Sequence, residues 1–180
     1  MINRIEAIGI LVSIGVMALA LFLLRVDMST PAELAEQAGG ESQMATPVVV
    51  GGDNDADLAN ALIAATDDRG RVNRLVIDDV VIGSGAEVER GDTVTVHYVG
   101  VLQNGQQFDS SYDHGEAFTF TVGDGRVIPG WEEGVLGMQE GGERVLVIPP
   151  ALAYGESGFG PIPPNATLVF TIELLRIGDE

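Results

Sequence analysis

The chain has 180 residues, of which 27 are acidic and nine basic, giving a formal net charge of −18, and it contains no cysteine. The missing cysteines exclude disulfides, thiolate metal sites and cysteine nucleophiles. The charge excludes a nucleic-acid partner, because nothing here could neutralise a row of phosphates. The length suits one good domain with additions, not two large domains.

Ala7 to Leu24 is a run of 18 residues without a charge. As a helix it would span about 27 Å, enough for a bilayer core. It exceeds the roughly 7–15-residue core of a secretory signal, and no small-residue cleavage site follows closely. Residues 1–24 are therefore read as an N-terminal transmembrane anchor in preference to a cleaved signal segment. Arg4 and the terminal amine precede the run and Arg25 follows it. The positive-inside rule then puts the N-terminus in the cytoplasm and the body outside it. Cleavage of the segment would leave the body secreted.

Residues 25–72 read as an acidic, largely flexible linker. Ser29-Thr-Pro-Ala-Glu could start a short helix that ends at Gly39-Gly40, and LANALIAA after Asp57 could add an amphipathic turn or two. Acidic and small residues dominate, and the apolar positions are too few to build a core. A dimerisation arm within residues 1–72 finds no support, because Gly9 and Gly15 lack the four-residue spacing of a packed helix pair.

From about residue 73 to residue 180 the pattern is one of strands. Leu75-Val-Ile and Val80-Val-Ile82 are β-branched runs ended by Gly83-Ser-Gly85. Thr93 to Val99 alternates, with Val94, Val96 and Tyr98 on one face and Thr93, Thr95 and His97 on the other. Asn104-Gly105 is a hairpin signal. Phe118-Thr-Phe-Thr-Val122 alternates again, Arg144 to Ile148 runs into Pro149-Pro150, and Leu168, Phe170, Ile172 and Leu174 share a face. About five antiparallel strands and one short helix make an α+β domain, a curved antiparallel β-sheet wrapped around the helix. That helix is Val127-Ile-Pro-Gly-Trp-Glu-Glu-Gly-Val135, read as a strand end, a turn set by Pro129 and Gly130, and a helical turn carrying the only tryptophan. Trp131 and Val135, four apart, share its buried face. The acid pairs Glu132–Glu133 and Asp78–Asp79 read as solvated charge.

Taken singly, each aromatic on these strands is a packing residue, and Asp109 after an Asn-Gly hairpin is a turn-former. No serine–histidine–acid set, metal cluster or phosphate loop stands out. Five motifs taken together change that. Val96-His-Tyr-Val-Gly100, Phe108-Asp-Ser-Ser111, Val127-Ile-Pro-Gly-Trp131, Ala153-Tyr-Gly155 and Ile162-Pro-Pro-Asn-Ala-Thr-Leu-Val-Phe170 occur in the order and near the spacing of the FKBP-type peptidyl-prolyl cis–trans isomerases. Residues 73–178 closely resemble that family. Bacterial members with a membrane anchor or export signal before one such domain have a similar layout.

The resemblance implies an enzyme without cofactor or metal, an FKBP-like fold, and a pocket that rotates X–Pro bonds. It implies Trp131 as the floor beneath the proline ring, Tyr98, Phe118 and Phe170 as walls, Val127 and Ile128 as rim, and Phe108 and Ile162 as further lining. Asp109 would stand near the twisting amide, and the Ile128 N–H and Tyr154 hydroxyl would hold substrate carbonyls. Catalytic roles thus fall to Tyr98, Asp109, Ile128 and Tyr154. Ser110 and Ser111 would fix the Asp109 loop, and Phe120 belongs to the core. His114 stands where many members carry an arginine paired with the pocket aspartate; a neutral histidine could still donate one bond. The loop Glu156 to Pro161 is one residue shorter than in the best-known members. The implied partners are proline-containing unfolded or partly folded exported polypeptides and macrolide ligands of the family, met by a monomer held at the membrane. The rival expectation is a tethered, non-catalytic client-binding module that uses the same pocket.

Overall fold

A computed structural model describes residues 47–50 and 55–178. Seven strands form one sheet: β1 (Val48–Val50), β2 (Val76–Val81), β3 (Thr93–Leu102), β4 (Gln107–Ser110), β5 (Phe118–Thr121), β6 (Glu143–Ile148) and β7 (Leu168–Ile177). Their order is β1-β2-β6-β7-β3-β4, with β5 paired to β3 beside this path. All pairings are antiparallel except β1 with β2. Among the described residues three α-helices accompany the sheet, α1 (Asp55–Ala64), α2 (Ser111–His114) and α3 (Pro129–Gly134), with a 3-10 turn at Pro150–Leu152. The α+β class and the sheet with its short tryptophan helix agree with the sequence-based expectation. Strand and helix numbers exceed it: β1, β4 and α2 have three or four residues each and are too short to show a period, and α1 is expected from the sequence only as an amphipathic turn or two.

The alternation read in the sequence sorts side chains to two faces. Val94, Val96, Tyr98, Leu146, Ile148, Leu168, Phe170, Ile172 and Leu174 pack with Trp131, Val135 and Met138 into the main core. The intervening residues Val101, Val147 and Val169, with Val76, point to the opposite face, where they bury against Ala61, Leu62, Ala65 and Val72. Strands apolar on both faces need cover on both.

This second cover corrects the flexible linker expected over 25–72. Among its described residues, β1 extends the sheet and α1 lies across it. Leu58, Ala61, Leu62 and Ala65 follow the i, i+3, i+4, i+7 stripe of a packed helix. A short apolar stripe suffices, because the matching surface is supplied by valines of β2, β3, β6 and β7. No helix among the described residues is long and apolar enough to cross a membrane. The spans expected at Ala7 to Leu24 and from Ser29 to Ala38 lie outside the described residues.

Asp79 is likewise not free surface charge. Its two carboxylate oxygens accept from Nε and Nη2 of Arg144 at 2.7 and 3.0 Å, and Arg144 is only 5% exposed. Nη1 of Arg144 donates to the carbonyls of Gly134 and Leu136 at 2.8 Å each. One guanidinium therefore ties β2 and β6 to the end of α3, and its burial is tolerated because its donors are met.

If residues 55–72 are part of the domain, Leu62→Ala, at a site 2% exposed, should lower unfolding free energy by about 2–3 kcal/mol. Urea unfolding with an unchanged slope checks this, and no loss of stability would return the segment to the status of a spacer.

Candidate active site

The site is built around α3. Pro129 starts it with the fixed φ of a first helical position, and the Trp131 and Glu132 N–H groups donate back to the Ile128 carbonyl. Val127 lies in the loop before α3, not at a strand end. Gly130 and Gly134 have no side chain because β6 lies directly behind them; a methyl group at either would collide with Ile148 or Leu146. The helix thus sits flush on the sheet with Trp131 buried in the main core.

Around Trp131 stand four rings, none parallel to it. Centroid distances are 5.2 Å to Tyr98, 5.2 Å to Phe170, 5.6 Å to Phe120 and 6.1 Å to Phe118, with interplanar angles from 53° to 86°. Such edge contacts suit the ring quadrupole. Phe108 extends the wall by meeting Phe170 edge-on at 5.5 Å. Tyr98, Trp131, Ile162 and Phe170 are buried, Val127, Ile128, Phe108, Asp109 and Tyr154 are half-buried, and Phe118 is exposed at the margin. The expected lining residues are therefore brought together on one side of the sheet.

Sequence reasoning missed a glycine behind this wall. A Cβ at Gly100 of β3 would stand 2.7 Å from Phe170 and 2.8 Å from Phe108. Its absence makes room for that ring pair, a relation across three strands that no local pattern carries.

Asp109 is the third residue of β4 and stands beside the rings. Its Oδ2 accepts from the Tyr98 hydroxyl at 2.7 Å, and its Oδ1 accepts from the Ser110 N–H at 2.9 Å and lies 2.8 Å from Nε2 of His114. Burial pushes the Asp109 carboxyl up, but the bonds from Tyr98, His114 and Ser110 outweigh it and hold the carboxyl below its ordinary value. The Tyr98 hydroxyl is pushed up by burial and then by its bond to Asp109. Ser110 and Ser111 hold the loop as expected. Ser110 Oγ caps α2 by accepting from the Tyr112 N–H. Ser111 Oγ accepts from the Tyr98 N–H at 2.9 Å and lies 3.0 Å from Nδ1 of His97, whose ring stacks on Tyr112.

Two donors at the margin are uncommitted. The Ile128 N–H and the Tyr154 hydroxyl have no hydrogen-bond partner among the described residues. The Trp131 indole N–H is buried without a partner among the described residues. Burial, followed by the charge of Asp109, pushes the Tyr154 hydroxyl up, so it stays a donor. Past Tyr154, the Phe159 and Ile162 backbones bond to each other both ways around Gly160 and Pro161, and exposed Phe159 stacks on Tyr154 at 5.3 Å. The sequence did not single out Phe159. Among the described residues no group of three or more histidine and acidic side chains is placed to hold a metal.

Glu132 is a correction. It is 9% exposed, and its carboxylate accepts from the backbone N–H groups of Gly123 and, at 2.9 Å, Gly125. Both glycines have positive φ, so the loop entering the site is curled around this carboxylate. Charge on a first helical turn is exposed by default, and only the fold of the loop above decides otherwise. Glu132→Ala, which leaves those two N–H groups without an acceptor, should cost about 1–3 kcal/mol in thermal or urea unfolding; an unchanged midpoint would reduce Glu132 to a surface acid.

A family model described as FKBP-type peptidyl-prolyl cis-trans isomerase matches residues 85–175. An FK506-binding protein of Neisseria meningitidis serogroup B is 51% identical over 104 residues, covering 57% of this chain and 95% of that one. FK506-binding protein 1 of Yarrowia lipolytica is 59% identical over 90 residues, covering 49% and 83%. Among solved structures, AtFKBP13 matches with a TM-score of 0.55 at 41% identity over 62% of this chain and 96% of that one. FkpA from Escherichia coli matches with a TM-score of 0.55 at 47% identity, over 63% and 50%.

Proposed function

The chain belongs to the FKBP-type peptidyl-prolyl cis–trans isomerase family, and from that premise we propose that the Trp131 pocket binds the proline ring of an X–Pro segment and turns its peptide bond. The observation that carries the assignment is the ring cluster itself: a tryptophan 5.2 Å from both Tyr98 and Phe170, with half-buried apolar rim and two free donors beside it.

The chemistry asks for such a site. The barrier of roughly 18–20 kcal/mol comes from amide resonance, which is lost when the bond twists. Water stabilises the planar, charge-separated amide, so a dry aromatic pocket favours the twisted form. Trp131 is the floor, Tyr98, Phe118 and Phe170 are walls, Phe108 and Ile162 are lining, and Val127 and Ile128 are rim. The Ile128 N–H and the Tyr154 hydroxyl receive substrate carbonyls, and Asp109 faces the twisting amide. No covalent step and no cofactor are involved. The relatives' name, FK506-binding protein, supports the same pocket as a seat for that type of macrolide, which would compete with proline peptides.

The natural substrates are proline-containing, incompletely folded exported chains, for which isomerisation over tens of seconds would limit folding. Residues 1–24 hold the enzyme at the membrane with residues 73–180 outside the cytoplasm, and residues up to 72 include both spacer and domain. The uncharged run from Ala7 to Leu24 supports this placement. Membrane fractionation and N-terminal sequencing of the mature protein test it, and a soluble protein lacking that run would overturn the anchor.

A proline-peptide isomerisation assay tests the function. Trp131→Ala and Phe170→Ala should each lower kcat/KM by about ten-fold or more, equal to ~1.4 kcal/mol of transition-state stabilisation. Asp109→Ala should lose part of the activity, and FK506 should inhibit the wild type. Thermal unfolding of each variant separates pocket loss from misfolding. Wild-type protein that holds proline peptides without speeding their exchange is a binding module, not an enzyme.

A further inference from the structure

We propose that a hollow on the outer face of the sheet, between Glu143, Glu173 and the Tyr112 ring, binds the guanidinium of an arginine side chain on a partner polypeptide. The inference rests on the face opposite the ring cluster and does not depend on the isomerase reading.

Strand geometry builds the hollow. On β7, Thr171 and Glu173 are two apart and share the face of Val169, away from Trp131. β6 sets Glu143 directly opposite Glu173, while β3 sets His97 opposite Glu173 and Val99 opposite Thr171 on the other side. The valine cluster under α1 ends at Val99 and Val145. Beyond it the hollow is lined by His97, Val99, Tyr112, Glu143, Thr171 and Glu173. Tyr112 of α2 forms a wall, its ring stacked on His97 at 4.5 Å and 18°. With its open mouth the hollow measures about 200 Å³, room for the end of a side chain and too little for a ligand of drug size.

Two independent observations call for a cationic donor. Like charges directly opposite on neighbouring strands repel, and Glu143 has no hydrogen-bond or ion-pair partner among the described residues. Burial, and then the charge of Glu173, pushes the Glu143 carboxyl up, as expected of an acid without a counter-charge. The second observation is Thr171, only 6% exposed, which lines the hollow with a hydroxyl that has no partner among the described residues. A buried hydroxyl left unpaired is unfavourable, and a donor entering the hollow relieves it. The Tyr112 hydroxyl occupies one oxygen of Glu173, donating at 3.2 Å; burial and then the Glu173 charge push it up to about 12, so it stays protonated.

The chemistry selects arginine. Among the described residues no group of three histidine and acidic side chains is placed to hold a metal, so an inorganic ion is not the guest. A guanidinium carries five donors in a planar fork, which meets two carboxylates and a hydroxyl together. Its flat face also stacks on an aromatic ring such as Tyr112. A lysine ammonium is a compact, strongly hydrated point charge and uses neither feature. The formal charge of −18 draws basic polypeptide segments to the surface, and the hollow admits one side-chain end.

The test is an NMR titration of the full-length protein, in a zwitterionic detergent, with the acetylated and amidated tripeptide Gly-Arg-Gly. Backbone N–H signals of His97, Glu143, Thr171 and Glu173 should move and saturate. The lysine tripeptide should bind at least about five-fold more weakly, and the citrulline tripeptide, which keeps the shape without the charge, should not saturate. Glu143→Gln should weaken arginine binding by about ten-fold or more, and Thr171→Val by about three-fold. Glu89→Gln, which removes an exposed acid elsewhere, should leave it unchanged. Glu143→Gln removes a repulsion, so its thermal midpoint should not fall, which separates a lost site from a lost fold. The double variant Arg4→Gln, Arg25→Gln identifies the source of the arginine. If it binds the peptide and wild type does not, the guest comes from this chain and the partner is overturned. No saturation in either protein, equal binding of lysine or citrulline, or full binding by Glu143→Gln overturns the site.

Discussion

The packing of α3 onto β6 is the constraint from which the site follows. Two glycines on one face of a six-residue helix let its backbone touch Ile148 and Leu146. Such a helix is too short to be stable alone. It is held by that contact, by Arg144 bonded to the carbonyls at its end, and by Glu132 bonded to the loop before it. With the backbone so close to the sheet, Trp131 is surrounded by rings from β3, β5 and β7. A dry aromatic floor is therefore a product of core packing, and the tryptophan serves stability from below and the site from above.

The polar half of the site is arranged on a different principle. Asp109, Tyr98, Ser110, Ser111 and His114 form a short chain of hydrogen bonds linking β3, β4 and α2. Each buried or half-buried polar atom in it has a partner, as a low-dielectric setting requires. The carboxylate kept ionised there places one negative charge beside an otherwise apolar ring cluster, while the Ile128 and Tyr154 donors have no partner among the described residues. On the proposed reading, apolar shape dominates the chemistry and a few dipoles orient the guest.

Much of this was legible in local pattern. The alternation in Thr93 to Val99 and in Leu168 to Leu174 assigned their faces correctly, because a strand's side chains alternate whatever it pairs with. The Asn104-Gly105 turn and the Pro129-Gly130 helix start were readable for similar reasons. Three features were not. Leu58, Ala61, Leu62 and Ala65 looked too sparse for a core, yet they needed only to cover valines of β2, β3, β6 and β7. Asp79 and Glu132 looked like ordinary surface acids, yet each meets donors brought to it by another part of the chain. Gly100 looked like any strand glycine, yet two rings occupy the space its side chain would take.

By itself, the sequence determined the class of the domain, the strand faces, the place of the tryptophan turn and, through five motifs, the family and its expected pocket residues. These depend on short-range geometry and on residue order, which are present in the linear chain. Tertiary structure alone decided that β1 joins the sheet and α1 covers it, and that the apparent surface acids Asp79 and Glu132 meet donors from elsewhere in the chain. Those facts depend on which distant surfaces meet, and burial and hydrogen bonding are properties of the meeting, not of either segment.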